Sequence, residues 1–175
     1  MNGIIIYHGK YGATEQYAQW LSESLRMPML SAKAARQSII ADYDIVILGS
    51  SVYVGRLVIH RWLKRNLSLL KNKKLFLFIV CGTSSDNSFQ QQAIINNNVD
   101  PAIRGNCEIF FLQGRCIVSK LSWVDHFILK IGAMREKDPK KRANMTKGFD
   151  SMDKKNLKSL IGHISQLLKL ETSLT

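Results

Sequence analysis

Near the start of this sequence an apolar run, a loop with two glycines and a helical pattern follow one another directly. Residues 4–7 are three isoleucines and a tyrosine, a composition typical of a buried strand. Residues 13–26 carry apolar side chains at helical spacing. A glycine loop between a strand and a helix lets the backbone approach a phosphate, which the first N–H groups of the helix can bind. The pattern therefore predicts a phosphate site, the alternative being that the glycines only make a tight turn.

The loop at residues 8–14 matches neither of two widespread phosphate-binding motifs. It does not end in the Gly-Lys-Ser/Thr of a Walker A loop. It also lacks the Gly-x-Gly-x-x-Gly of the dinucleotide fingerprint. A nucleoside triphosphate site and a dinucleotide site of these two kinds are therefore not expected.

The same loop resembles the phosphate loop of flavodoxins, in which a strand ends in an aromatic residue and x-Ser/Thr-x-x-Gly-x-Thr-x-x-x-Ala follows. Tyr7, Gly12, Thr14 and Ala18 match in register, whereas Gly9 stands where a hydroxyl residue is expected. The resemblance implies FMN bound through its phosphate, with one hydrogen bond of roughly 0.5–3 kcal/mol missing at Gly9. The cofactor-binding residues that it implies in this loop are His8, Gly9, Lys10, Tyr11, Gly12, Ala13 and Thr14. The His8 side chain either donates to the phosphate or points to solvent.

Further apolar runs alternate with amphipathic patterns along the rest of the chain. Strands are expected at residues 29–30, 44–50, 75–80 and 107–112, and helices at residues 57–70, 89–97 and 157–170. Such alternation predicts an α/β fold with a parallel sheet and helices on both faces. The resemblance implies a flavodoxin-like, doubly wound, five-stranded sheet in the order 2-1-3-4-5.

Three loops are expected at the carboxyl edge of this sheet, where ligands bind in doubly wound folds. Besides residues 8–13, they cover residues 50–55 and 81–87, and all three are rich in small, polar and aromatic residues that can surround a planar ring. Tyr53 either stacks on the flavin or covers neighbouring apolar surface. Backbone N–H groups of the third loop are candidates for the carbonyl edge of the ring. The cofactor-binding residues expected in these two loops are Ser50, Ser51, Val52, Tyr53, Val54, Gly55, Cys81, Gly82, Thr83, Ser84 and Asn87.

Length and composition indicate a single soluble domain over residues 1–175. The longest apolar stretches fall far short of the ~20 residues of a membrane span, and the chain enters a strand without a leader pattern. Its three cysteines fit neither a disulfide framework nor a zinc site, which favours reduced thiols in the cytoplasm. The four histidines show no metal-ligand spacing, so no metal is expected.

The charge is unusual, at +12 with a pI near 9.8. Residues 51–85 contain seven Lys or Arg and no acidic residue. Such a balance predicts an anionic partner, which can be a membrane surface, an acidic protein or a nucleic acid. No nucleic acid is expected here, and a merely well-solvated surface is the alternative. Electron-carrying flavodoxins are typically acidic, so the charge argues against that role.

An amphipathic and basic segment is expected as an insert at about residues 115–146. One helical stripe is formed by Ile117, Leu121, Val124, Ile128 and Ile131. Five basic residues follow between positions 135 and 142, in what the sequence indicates is a mobile loop. The stripe either packs on the domain or forms a surface for an anionic membrane and a quinone. The second alternative would place the protein peripherally at the inner face of the cell membrane.

Residues 5–21, the motif Gly49-Ser-Ser-x-Tyr-x-Gly55, a basic helix with an internal tryptophan and the late insert resemble the flavodoxin-like protoporphyrinogen oxidases of haem biosynthesis. This resemblance implies an FMN-dependent oxidoreductase that oxidises protoporphyrinogen IX with a quinone as acceptor. Arg56 and Arg115 are candidate partners for the porphyrinogen propionates. No side chain is an obvious acid or base, so no catalytic residue is assigned. The alternatives are an electron-transfer flavodoxin without its own substrate and a basic binding module without flavin.

Overall fold

The computed structural model describes residues 2–82 and 88–172, and a parallel sheet lies at its centre. The main strands are ordered β2-β1-β3-β5-β6, and all their neighbours pair in parallel. The short β4 pairs antiparallel with the end of β3. The expected doubly wound topology is therefore confirmed, with β4 as an addition. The strands are β1 (Gly3–His8), β2 (Met29–Ser31), β3 (Ile45–Tyr53), β4 (Arg56–Leu57), β5 (Lys74–Cys81) and β6 (Cys107–Gln113).

Helices cover both faces of the sheet because consecutive strand residues point to opposite sides. Ile4 and Ile6 pack on one face, in a cluster with Ile40, whereas Ile5 packs on the other, with Tyr17. All five of these side chains are fully buried. The helices are α1 (Ala13–Leu25), α2 (Gln37–Ala41), α3 (His60–Arg65), α4 (Leu67–Leu70), α5 (Ser88–Asn98), α6 (Pro101–Arg104), α7 (Trp123–Arg135), α8 (Pro139–Lys147) and α9 (Lys158–Thr172).

The single helix expected at residues 57–70 is wrong. Leu57 ends β4, and the remainder divides into α3 and α4 at Asn66. This asparagine is buried, has φ −108°, and donates from Nδ2 to the Trp62 carbonyl at 2.8 Å. Asparagine side chains compete with the helical backbone for hydrogen bonds in this way, which explains the break.

The segment after β6 lies between two short strands, β7 (Arg115–Cys116) and β8 (Phe149–Asp150), which pair antiparallel. We call residues 117–148 the cap. The expected helix does not begin at residue 117, because a 3₁₀ turn precedes Ser122, whose Oγ caps α7 by accepting from the Asp125 amide at 3.3 Å. The loop expected at residues 135–142 is shorter than predicted, because α8 begins at Pro139 within it.

Helix α7 packs against the rest of the protein with a different face from the apolar stripe that the sequence periodicity indicates. Asp125 and Ala133 are buried, whereas Trp123, Phe127 and Met134 are 83%, 62% and 77% exposed. The apolar stripe on α7 is itself partly exposed. None of the helices described has the length and hydropathy of a membrane span. The cap therefore presents an apolar surface outward.

Candidate cofactor-binding site

A cavity of about 400 Å³ lies at the carboxyl ends of β1, β3 and β5. Its volume falls in the range of about 300–1,000 Å³ that is usual for small-molecule sites. The cap forms much of its wall through Leu129, Met145 and the nearby Phe149. The loop residues expected at the cofactor that line this cavity are Lys10, Tyr11, Ala13, Thr14, Ser51, Val52, Tyr53, Cys81 and Gly82.

The loop between β1 and α1 is shaped by two glycines. Gly12 has φ +80°, a left-handed conformation that favours glycine, and its carbonyl accepts the first α1 hydrogen bond, from Gln16 at 3.0 Å. A Cβ on Gly9 would lie 2.7 Å from both Cβ and Oγ1 of Thr14. Gly9 therefore leaves room for the buried Thr14, which is a physical reason for its departure from the flavodoxin pattern.

Three buried polar atoms at this cavity have no hydrogen-bond partner among the described residues. They are Oγ1 of Thr14, Oγ of Ser51 and Nε of Arg115. Leaving such groups unpaired costs about 1–3 kcal/mol each, so they indicate a polar ligand. The Arg115 Nη2 atom lies 3.6 Å from a Cβ built on Gly12, next to the start of α1. A guanidinium, a hydroxyl and a helix N-terminus together fit a phosphate.

The sequence resemblance indicates Arg115 only as a candidate partner for a propionate, together with Arg56. The structure separates the two, because Arg56 is exposed and lines a different cleft. Nothing in the local sequence marks Arg115 as a neighbour of residues 9–14. Its position depends on the pairing of β7 with β8, which is a contact between distant parts of the chain.

A buried carboxylate joins the cap to two of the cofactor loops. Asp125 is 4% exposed and accepts hydrogen bonds from Lys10 Nζ at 2.8 Å, from the Tyr53 hydroxyl at 2.6 Å and from the Tyr11 hydroxyl. Burial lowers the pKa of Lys10, but its bonds with Asp125 and Tyr53 outweigh this and hold the pKa above its ordinary value. Lys10 is therefore charged at neutral pH and forms an ion pair with Asp125.

The Tyr53 ring lies in the cavity wall, between the cap and the cofactor loops. Lys10 Nζ stands 3.7 Å from the ring centroid, a cation–π contact that covers one face. Stacking of Tyr53 on a flavin stays a prediction.

Several expected site residues do not line the cavity. Ser50 is buried, where its Oγ accepts from the Ile59 amide at 3.3 Å and donates to the Ser51 carbonyl at 2.9 Å. Val54 and Gly55 form the β3–β4 turn, with φ of 47° and 73°. His8 lines a separate cleft. Thr83, Ser84 and Asn87 lie outside the described residues.

The remaining groups at the cavity offer little chemistry of their own. Burial raises the pKa of the Cys116 thiol, so this side chain is protonated at neutral pH and is a poor nucleophile. Within residues 2–82 and 88–172, no cluster of three or more His, Cys, Asp or Glu could hold a metal ion.

Fold and site together define a doubly wound α/β protein with a candidate phosphate site where the strand order reverses, between β1 and β3. The model of the flavodoxin domain family matches residues 4–153. The chain belongs to the flavodoxin domain family. This membership implies flavin mononucleotide as the cofactor, and the unpaired polar atoms beside the phosphate loop fit that group.

Solved structures of flavodoxins and flavodoxin-like proteins are similar in fold. A WrbA-like flavodoxin of Agrobacterium tumefaciens has a TM-score of 0.51 at 14% identity, over 67% of this chain and 86% of that one. Oxidised flavodoxin 2 of Bacillus cereus gives 0.49 at 18% identity, over 65% and 85%. Reduced flavodoxin of Megasphaera elsdenii gives 0.46 at 16% identity, over 64% and 83%. A comparison with curated protein sequences finds no match.

Proposed function

We propose that this protein is an FMN-dependent oxidoreductase that oxidises protoporphyrinogen IX and passes the electrons to a quinone. The observation that carries the proposal is the cap, which lies over the cofactor cavity and is fixed to its loops by Asp125. An electron carrier needs an exposed cofactor edge for its protein partners. A cavity walled by a cap suits an organic substrate that enters and reacts beside the cofactor.

The residues of the chain have positioning and electrostatic roles in this proposal. Thr14, Arg115 and the N-terminus of α1 hold the phosphate, and Ser51 supplies a hydroxyl to the ligand. The apolar wall, with Leu129, excludes water from the reacting groups. FMN, when bound, would supply the capacity to take two electrons and two hydrogens at a time from the porphyrinogen and pass them to a quinone, which becomes a quinol; three such cycles, each using one quinone, complete the six-electron oxidation to the porphyrin.

The outward face of the cap supports a membrane location for this reaction. Trp123, Phe127 and Met134 are exposed on α7, and Lys130 and Arg135 are exposed beside them. Apolar side chains flanked by basic ones suit the headgroup boundary of an anionic bilayer. Quinones dissolve in lipid, so a cap that docks there brings the cavity to its electron acceptor.

The reaction is tested by anaerobic mixing of the FMN-loaded protein with protoporphyrinogen IX. Loss of the oxidised flavin absorbance, followed by its return when a quinone is added, is the expected result. Repeated turnover with excess quinone distinguishes an enzyme from a single exchange. Flavin that stays oxidised with the porphyrinogen, yet is reduced by a flavodoxin reductase, would establish the carrier function instead.

A matched variant controls for spontaneous oxidation by free flavin. Thr14→Val is expected to weaken FMN binding while keeping the fold, because Thr14 is buried and valine has nearly its shape. At an FMN concentration that saturates the unchanged protein but not this variant, the variant should show lower turnover. Equal rates for the two preparations would place the chemistry in solution and contradict the proposal.

A further inference from the structure

A second cleft, of about 580 Å³, lies at the same edge of the sheet but on the opposite face. His8 follows Ile6 by two positions, so both point to the face covered by α2 and α3. None of the residues lining this cleft lines the cofactor cavity. Its basic or titratable residues are His8, Lys33, Arg56, His60, Arg61 and Arg65.

No acidic residue lines this cleft, and the cations have no partners in the described part of the chain. Lys33, Arg56, Arg61 and Arg65 form none of the ion pairs found between described residues. Residues 45–82 contain no Asp or Glu that could supply one. Like charges in one concavity repel each other, and a bound anion would relieve that repulsion.

At His8, one cation of the cleft acts in the same direction as burial. Burial and the positive charge of Lys33 both lower the pKa of this histidine. His8 is partly buried, so it lies within the concavity and not on a fully solvated rim. An anion beside it would act in the opposite direction and raise its pKa.

The volume and the lining of the cleft suit a small molecule. Leu57 and Ala32 are buried at its apolar base, and the partly buried Trp62 supplies an aromatic wall. Its volume is again that of a small-ligand site. Basic groups around an apolar base match a compact organic molecule with several anionic groups.

We propose that this cleft binds a small organic anion with two or more phosphate or carboxylate groups, at a site separate from that of FMN. Arg56, Arg61 and Arg65 offer planar forks that pair with such groups, and Lys33 adds a point charge. The proposal does not depend on the reaction assigned to the cofactor cavity.

The test follows the His8 ring signal by NMR in the full chain, with FMN added in excess and with inorganic pyrophosphate or citrate as the probe. His8→Gln identifies the signal. A saturable shift of this signal and a higher His8 pKa with a probe are expected. Response to pyrophosphate alone assigns phosphates, and response to citrate alone assigns carboxylates. No saturable response to either overturns the proposal.

Two matched variants separate a built site from general attraction by a basic protein. Arg61→Gln and Lys64→Gln remove one charge each from α3, but Lys64 does not line this cleft. The first should weaken probe binding roughly tenfold to a hundredfold, and the second by less than about twofold. Arg115→Gln should leave binding unchanged.

Equal weakening by Arg61→Gln and Lys64→Gln would overturn the proposal, because it would show that only net charge matters. A single-stranded oligonucleotide that displaces both probes and binds more tightly, with the same dependence on Arg61, would overturn the small-molecule assignment in favour of a nucleic-acid surface.

Discussion

Replacing Asp125 by asparagine tests whether one carboxylate fixes the cap to the cofactor loops. The substitution keeps the size of the side chain but removes the charge that pairs with Lys10. Removing one partner of a fully buried pair costs about 3–5 kcal/mol. Here the Lys10 side chain is 37% exposed and can regain water, so we expect a smaller cost, about 2 kcal/mol, from the weakened hydrogen bonds.

The loss of stability in Asp125→Asn should be local, because Asp125 contacts the cap and the cofactor loops and not the core of the sheet. Native-state hydrogen exchange measures it residue by residue. An opening equilibrium changed by about 2 kcal/mol corresponds to about a thirtyfold loss of protection in α7. Amides of β5, in the centre of the sheet, should keep their protection.

Asp42→Asn is the matched control, since it makes the same change of charge at an exposed site whose carboxylate forms no hydrogen bond or ion pair with a described residue. It should leave α7 unchanged. Protection in α7 that falls less than about threefold in Asp125→Asn would refute the assignment of the carboxylate as the attachment of the cap. An equal loss in β5 would refute it too, by showing that the effect is global.

Three further predictions follow from the site, the cap and the β3–β4 turn. Thr14→Val should weaken FMN binding by roughly 1.5–3 kcal/mol, measured by fluorescence titration, if its unpaired hydroxyl bonds to a phosphate; unchanged affinity would contradict the phosphate site. Trp123→Ser with Phe127→Ser should reduce sedimentation with anionic vesicles, whereas Phe89→Ser, at an equally exposed aromatic outside the cap, should not; equal binding by both variants would exclude α7 as the docking face. Val54→Asn should raise the free energy of unfolding by about 1 kcal/mol in urea titrations, because asparagine tolerates the φ of 47° better than valine does; lower stability would show that the valine side chain has a role that its conformation does not reveal.

The sheet could be predicted from the sequence because local signals determine it. Continuous apolar runs at β1, β3 and β5 are buried on both faces, and one glycine loop places the phosphate site between a strand and a helix. These features can be recognised from residues that are close together in the sequence. The strand order came from the family pattern and is confirmed by the structure.

The cap could not be predicted in the same way, because periodicity shows which residues share a face but not which face is buried. In α7 the apolar stripe is partly exposed, and the opposite side is fixed through Asp125 to Lys10 and Tyr53, more than 70 positions earlier. A single carboxylate gives no periodic signal. The position of Arg115 could not be predicted for the same reason, since its place beside Gly12 depends on a contact between distant parts of the chain.

Arg115 stands in β7, the strand where the cap leaves the sheet domain, and its guanidinium lies beside the phosphate loop. A movement of the cap that shifts β7 therefore also shifts a positive charge relative to the cofactor phosphate. Movement of the cap and binding of FMN are then thermodynamically linked. A molecule that binds the cap and changes the affinity for FMN by some factor must have its own affinity changed by FMN by the same factor.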